Sequence, residues 1–307
     1  MAEFSPYVCM QTNSRCYKRT TEAVPVGILW HSTGANNPYL KRYVQPTEGS
    51  KNEAADLAKL GKNTSKNDWN HLQISSGLNA WIGKFADDTV GTVQTMPWNY
   101  APWGCGSGKN GSCNKTKLQD GRTGIWIQFE ICEDGLNDKT YAEQVYKEAV
   151  ALTAYLCKIY KIKPDDYVTT SKGIKVPTIT CHNDASKIGM ATSHSDINHW
   201  FPRLLNKDME AVRRDVGAAM GDQESSAPVQ ETTSTPVETT APANTDSSYK
   251  VKVTAGALNV RKGAGTSYGV STVIKKGEIY TIVEENNGWG RLKSNAGWIM
   301  LKYTSKV

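Results

Sequence analysis

The chain has 307 residues, 38% of them hydrophobic, which is enough to bury one sizeable core and a second, smaller one. No apolar run approaches the roughly 18 residues that a membrane-spanning helix needs, so we expect no integral membrane association. The formal net charge is +6, and the seven cysteines include no CxxC pair, which argues against a disulfide scaffold and fits a reducing cytosol.

The first seven residues lack the basic and apolar segments of a secretory signal. We therefore expect synthesis in the cytoplasm, with no signal peptide.

Strand and helix signals alternate over the first two thirds of the chain. The apolar or β-rich runs predict strands at residues 24–31, 80–85, 89–95, 124–131 and 176–181. A 3–4 spacing of apolar residues predicts a helix over 141–160, capped by Asp138 or Thr140, and residues 198–220 read as a second long helix. This order predicts an α/β domain with a central mixed β-sheet flanked by helices.

Residues 222–248 are rich in Thr and Pro and contain no aromatic residue, so we expect an extended linker. Short strand signals separated by glycine-containing turns follow it, and they predict a small all-β barrel. The expected organisation is a catalytic domain at 1–221, a linker at 222–248 and a second domain at 249–307. The second domain holds ten Lys/Arg against three Glu, a net charge of +7 that suits an anionic partner.

Two histidines stand where a predicted strand ends. His31 closes the run VPVGILWH, and His182 follows the strand at 176–181. The ends of neighbouring strands meet at one edge of a sheet, where sites in α/β proteins tend to lie. Imidazole is a common zinc ligand, and a catalytic zinc has three protein ligands and one open position. A zinc site at this edge and two ordinary polar histidines are about equally supported by the pattern.

Glu130 is a carboxylate within the apolar strand IWIQFEI. One interpretation is a strand with one solvated face, since Gln128 and Glu130 alternate as that requires. The other is a general base beside a metal, with a pKa raised by burial. Glu133 and Asp134, which follow the strand, read as solvated turn residues.

Four segments in order resemble the type-2 N-acetylmuramoyl-L-alanine amidases, in the variant found in phage and prophage endolysins. The segments are His31-Ser-Thr-Gly, the stretch from Pro97-Trp98 to Trp103-Gly-Cys-Gly, IQFEICED, and CHND with SHSDINHWF. The resemblance spans roughly residues 24–205 and implies the fold of the peptidoglycan recognition proteins.

The resemblance also implies residue roles. His31 and His182 match two zinc ligands, and Asp196 fits the third. Glu130 matches the catalytic acid–base residue, and His194, two residues before Asp196, matches the residue that stabilises the oxyanion. Trp98 and Trp103 would line the substrate groove.

The third ligand stays open at this point, because the Pro-Gly that follows it in the family is replaced by Ile197-Asn198. His194 is the main alternative to Asp196. Cys181 and His199 are weaker ones, since Cys181 should face away from His182 on a strand and His199 adjoins Trp200 at a helix start.

The C-terminal segment LNVRKGAGTSY, with Gly288-Trp-Gly and Gly297-Trp-Ile, resembles the bacterial SH3 domain. Tyr268 and Trp289 are expected to contribute to a groove for wall peptide. Trp298 is better explained as a core residue.

Together these features favour a zinc-dependent amidase that cuts the peptidoglycan of a Gram-positive wall. As an endolysin it would stay in the cytoplasm until host lysis. A non-catalytic peptidoglycan recognition protein and a stem-peptide peptidase are the alternatives. No nucleic-acid motif is present, and the pattern does not determine an oligomeric state.

Overall fold

The computed structural model describes residues 4–221, 248–261, 270–286, 288–294 and 296–307. These residues form two compact units, one within Met1–Pro228 and the other within Val229–Val307. In the described parts of the chain, no helix is both long enough and apolar enough to cross a bilayer.

The first unit combines nine strands with six α-helices. The strands are Tyr7–Val8 (β1), Val24–Ser32 (β2), Ala80–Lys84 (β3), Val90–Gln94 (β4), Thr116–Lys117 (β5), Thr123–Ile131 (β6), Tyr167–Thr169 (β7), Lys175–Pro177 (β8) and Ile179–Cys181 (β9). The helices are Arg15–Arg19 (α1), Glu53–Leu60 (α2), Lys139–Tyr160 (α3), His182–Lys187 (α4), Phe201–Leu205 (α5) and Met209–Met220 (α6).

The main sheet has the order β1-β4-β3-β6-β2-β9, with β5 paired to β6. It is mixed, because β3 and β4 form an antiparallel hairpin while β6, β2 and β9 run parallel. The central strands β2 and β6 are buried along almost their whole length, as their continuous apolar runs predict. The predicted α/β class with a mixed sheet is confirmed.

The two faces of the sheet have different coverings. Alternate residues of β6, such as Ile127 and Phe129, point to the face covered by α3, α5 and α6. Gln128, Glu130 and Cys132 point to the other face. The ends of β2, β6 and β9 on that second face carry the polar side chains of interest.

Helix α3 matches its predicted span, and Asp138 caps it by accepting a hydrogen bond from the Tyr141 backbone N–H. The segment at 198–220, expected to be one helix, instead forms α5 and α6. Asn206 adopts a left-handed conformation after α5, and Asp208 caps α6 by accepting from the Ala211 N–H. Local polar residues thus break a helix that the apolar spacing alone would continue.

The predicted strand at 176–181 is also divided. Its first part, β8, pairs with β7 in a separate two-stranded sheet, and its second part, β9, pairs with β2. The division follows Pro177, which has no N–H for a sheet ladder.

The second unit is an antiparallel sheet of seven strands, in the order β12-β11-β15-β14-β13-β10-β16. The strands are Tyr249–Val253 (β10), Ala257–Arg261 (β11), Val270–Lys275 (β12), Ile279–Asn286 (β13), Trp289–Leu292 (β14), Trp298–Met300 (β15) and Thr304–Lys306 (β16). Along β10, Val251 and Val253 enter the core while Lys250 and Lys252 stay exposed. The all-β prediction for this segment is confirmed.

Candidate metal centre

Three neighbouring elements bring His31, His182 and Asp196 together. His31 lies next to last in β2, and His182 begins α4 directly after β9. Since β2 and β9 are paired with Trp30 opposite Cys181, the two histidines leave the sheet side by side. Asp196 comes from the segment between α4 and α5, where its backbone oxygen accepts a hydrogen bond from Asn183 N at 2.9 Å.

The donor atoms of these three residues form a small triangle. His31 Nδ1 lies 3.1 Å from His182 Nδ1. Asp196 Oδ2 lies 3.4 Å from His31 Nδ1 and 3.6 Å from His182 Nδ1. Two ligands on a tetrahedral zinc, with bonds of 2.0–2.1 Å, stand about 3.3 Å apart. The triangle therefore fits one face of a zinc coordination shell.

The chemistry of the donors supports the same assignment. Three atoms that can all accept converge on one point, and all three residues are buried. Such an arrangement needs a cation or a shared proton at its centre to offset the repulsion between lone pairs. In the part of the chain that the structure describes, no other group of three His, Cys, Asp or Glu side chains converges in this way.

The charges in this cluster are strongly coupled. Burial acts to raise the pKa of Asp196, but hydrogen bonds from His182 and His31 outweigh it and hold the pKa well below its ordinary value. Burial acts to lower the pKa of His31, but Asp196 and the nearby charge of Glu130 raise it to about 9. The site is thus built around a carboxylate that stays ionised.

Glu130 lies beside His31. The register of β2 and β6 places the two residues opposite each other, so their side chains share the same face of the sheet. Burial raises the pKa of Glu130 to about 7, although the charge of His31 opposes this shift. The interpretation of this face of β6 as solvated is wrong for Gln128, which is fully buried in a central strand, while Glu130 is partly buried.

His194 lies at the solvent side of the cluster. Its ring centroid is 4.2 Å from that of His182, and its side chain is exposed. Burial and the neighbouring His182 lower its pKa. Its Nδ1 is 3.4 Å from the Thr192 hydroxyl rather than in the donor triangle.

The two weaker candidates for the third ligand are also outside the triangle. The Cys181 thiol contacts Asn198 Oδ1 at 3.7 Å, and burial raises its pKa to about 12. His199 Nε2 lies 3.0 Å from the Glu133 carboxylate.

Glu133 differs from its expected place in a solvated turn. It is 2% exposed and accepts a hydrogen bond from the Ser32 hydroxyl at 2.5 Å. The Ser32 backbone N–H in turn lies 3.4 Å from Asp196 Oδ2. Glu133 therefore joins the end of β6 to the end of β2 and to His199. Its position after the strand gave no sign of this, because the partners are distant in sequence.

The aromatic residues expected to bind substrate are in different settings. Trp103 is 48% exposed and adjoins Gly104, whose position lies close to His31 and Gln128. Trp98 is partly buried and packs against the main core.

In the second unit, two tryptophans differ in burial. Trp289, expected to line a groove, is 7% exposed. Trp298, expected in the core, is partly exposed. Tyr268 lies outside the described residues.

Three further side chains organise the histidines and were not singled out as functional from the sequence. The amide oxygen of Gln128 lies 2.9 Å from His31 Nε2, and the Thr192 hydroxyl lies 3.2 Å from His182 Nε2. The Gln128 amide nitrogen donates to Asn114 Oδ1 at 3.0 Å. These residues belong to separate segments, so no local spacing relates them to the histidines.

Comparison with solved structures finds several matches at low identity. The chain is similar to the Staphylococcus aureus hydrolase AmiA, solved with its ligand, at 16% identity over 72% of this chain and 85% of that one, with a TM-score of 0.42. It is similar to PlyL at 15% identity over 70% of this chain and 97% of that one, with a TM-score of 0.40. It is similar to the PlyG catalytic domain at 15% identity over 74% of this chain and 100% of that one, with a TM-score of 0.40. No curated protein matches the chain significantly.

Comparison with family models gives two matches. Residues 256–304 match the bacterial SH3 domain. Residues 22–200, which include the strand ends and all three triangle residues, match the N-acetylmuramoyl-L-alanine amidase model. That match covers more than half of the chain, and the chain belongs to the N-acetylmuramoyl-L-alanine amidase family.

Proposed function

We propose that this protein is a zinc-dependent amidase that hydrolyses the bond between N-acetylmuramic acid and L-alanine in bacterial peptidoglycan. The observation that carries the proposal is the triangle of His31, His182 and Asp196 donor atoms beside Glu130. Family membership supports the reaction class, and the triangle supports zinc as the cofactor.

His31 and His182 would hold the ion through Nδ1, and Asp196 through Oδ2. When bound, zinc supplies Lewis-acid chemistry, since it acidifies water and polarises a carbonyl.

Glu130 would take the proton of the attacking water and return it to the leaving alanine nitrogen. A carboxyl with a pKa near 7 can do both, because it exchanges a proton readily near neutral pH.

His194 would donate a hydrogen bond to the oxyanion of the tetrahedral intermediate. Its exposed ring beside His182 suits contact with a substrate that arrives from solvent. Trp103, exposed near the same end of the sheet, would contact the substrate.

For the whole chain we propose catalysis by residues 1–221, a linker at 222–248 and wall binding by residues 249–307. Described residues of the last segment have exposed lysines on β10 and β16, which suit the anionic wall of a Gram-positive bacterium. We further propose an endolysin role, with the protein held in the cytoplasm until lysis. The seven cysteines all lie in the described residues, where they are buried and form no disulfide, as suits a reducing compartment.

The reaction is tested with soluble muropeptides, whose products are identified by mass spectrometry. The proposal predicts free muramyl glycans and intact stem peptides that begin with L-alanine. Shortened stem peptides would instead indicate a peptidase, and binding without cleavage would indicate a recognition protein. Glu130→Gln serves as the control, since it keeps the size of the side chain but removes the base.

A further inference from the structure

Each histidine of the triangle presents its second ring nitrogen to an uncharged side chain. His31 Nε2 meets the Gln128 amide oxygen at 2.9 Å, and His182 Nε2 meets the Thr192 hydroxyl at 3.2 Å. The proton positions on an imidazole follow from its partners, so the direction of these two hydrogen bonds decides which nitrogen is free to bind a metal.

The Gln128 amide is held in one orientation by Asn114. Asn114 Oδ1 accepts from the backbone N–H groups of Gly104 at 3.0 Å and Cys105 at 3.1 Å, and from Gln128 Nε2 at 3.0 Å. Asn114 Nδ2 donates to Gly106 O at 2.8 Å, so Asn114 itself cannot turn over without losing these bonds. The Gln128 oxygen must then face His31 and accept from Nε2–H.

The Thr192 hydroxyl is oriented from the same segment of the chain. It donates to the backbone oxygen of Cys105 at 3.1 Å, an atom that can only accept. A hydroxyl has a single hydrogen, so its contact with His182 must be one in which the ring Nε2–H donates. His194 Nδ1, at 3.4 Å from the same oxygen, is the more distant ring nitrogen.

Close packing keeps residues 104–114 against both partners. A Cβ atom added at Gly104 would lie 2.5 Å from the Gln128 amide oxygen. One added at Gly106, which has a φ of +61°, would lie 2.5 Å from Thr192 Cγ2. Only glycine allows the backbone to approach both side chains this closely.

We propose that the segment 104–114 fixes both histidines as Nε2–H tautomers through Gln128 and Thr192, so that both Nδ1 lone pairs face the metal position. Gln128, Thr192 and Asn114 are then positioning residues, with Asn114 acting through Gln128. The inference rests on the metal-binding part of the proposed function and is independent of the substrate.

The first test measures Zn²⁺ affinity by competition with a chromophoric chelator. Gln128→Met removes the acceptor at similar volume, and Thr192→Val removes the hydroxyl. We expect each to weaken Zn²⁺ binding about 10- to 100-fold, the usual effect of losing a partner of a ligating histidine. Thr192→Ser keeps the hydroxyl and should restore binding to within about threefold of the unmodified protein.

Thr92→Val is the matched control. Thr92 is buried on β4 and donates to the Glu148 carboxylate at 2.6 Å, so the variant loses one buried hydrogen bond two strands away from β6. It should lower stability without changing Zn²⁺ affinity. Thr192 is exposed, so its two variants remain informative even if Gln128→Met does not fold.

The second test records ring nitrogen NMR signals of the Zn²⁺-loaded protein. The proposal predicts metal-bound Nδ1 and protonated Nε2 for both His31 and His182. Binding through Nε2 in either ring, or unchanged Zn²⁺ affinity in both Gln128→Met and Thr192→Val, would overturn it. Neither readout depends on catalysis, so a protein with this tautomer pattern and no amidase activity would contradict the proposed function alone.

Discussion

Asp196 and His194 are two residues apart but have different surroundings. The Asp196 carboxylate is buried between two imidazoles, while the His194 ring is exposed beside one of them. We infer that Asp196 holds the ion and that His194 acts on the substrate.

This division predicts opposite results for two substitutions. Asp196→Asn should abolish stoichiometric zinc binding at micromolar metal, because the site loses its only ionised oxygen donor in the triangle. His194→Ala should bind zinc normally but lose about 10²- to 10³-fold in kcat, the usual effect of removing one oxyanion donor. Metal analysis after dialysis, together with steady-state kinetics, separates the two. Loss of zinc from His194→Ala would reverse the assignment.

We expect Glu130 to set the pH dependence of the reaction. It acts as a base only when deprotonated, so its raised pKa predicts that kcat/KM begins to fall at a higher pH than an ordinary glutamate would give. Glu130→Gln should lose about 10²- to 10⁴-fold in kcat and retain zinc. An unchanged kcat in Glu130→Gln would exclude Glu130 as the base.

At the residue scale, strand-end positions identified His31 and His182 as candidates, and a carboxylate within an apolar strand identified Glu130. Their partners could not be identified in the same way. Glu133, Gln128 and Thr192 meet the cluster through contacts 10 to 101 residues apart in sequence, and only the folded chain brings them together.

Glu133 and His199 connect secondary-structure elements. Glu133 follows β6 and His199 precedes α5, and their ion pair lies beside the segment that carries Asp196. The pair raises the pKa of His199 above its ordinary value of 6.5. Its stabilisation is therefore fully present below pH 6.5 and is lost as pH rises through the raised pKa.

The linkage predicts a pH-dependent effect of His199→Gln. The variant should lower the free energy of unfolding by about 1 kcal/mol near pH 6, a modest value because the ring is partly exposed. The difference from the unmodified protein should shrink toward alkaline pH. Lys66→Gln, which removes an exposed pair with Glu48, should leave stability nearly unchanged at either pH. Chemical denaturation at several pH values checks this, and a difference that grows with pH would be inconsistent with it.

Elements with long apolar runs were predicted well, and those divided by local polar contacts were not. The spans of β2, β6 and α3 follow from burial and capping signals within the sequence. The break between α5 and α6 depends on Asn206 and Asp208, and the division at Pro177 depends on which strand each half pairs with. Periodicity does not contain that information.

At the scale of the whole molecule, we propose that the two units have separable activities. The second unit exposes Lys250 and Lys252 on one strand, with no acid from β10 between them. We expect the full-length double variant Lys250→Glu/Lys252→Glu to bind Gram-positive walls about five- to tenfold more weakly at low salt. This fold-change follows from a contribution of a few tenths to about 1 kcal/mol for each exposed charge contact. Screening should reduce the difference at high salt. Cleavage of soluble muropeptides should be unchanged, and a pull-down with purified walls measures the binding. Equal binding at low salt would argue against an electrostatic contribution from this strand.

At this scale, composition indicated two folded parts of different class, and both classes are observed. The boundaries at 221 and 248 remain predictions, since residues 222–247 lie outside the described structure. The burial of the tryptophans in the second unit was predicted less well. The sequence around a tryptophan in a small sheet does not show whether its side chain lies in the core or on the surface.

The central claim is zinc-dependent cleavage of the muramyl–alanine amide. It is tested most directly by incubating the full-length protein with purified Gram-positive walls, with and without a chelator, and labelling new amino termini. We predict new N-terminal alanine without new reducing sugar ends, its loss after chelation, and its recovery when Zn²⁺ is added back. New alanine termini that persist in the fully metal-depleted protein, or none under any metal condition, would contradict the account.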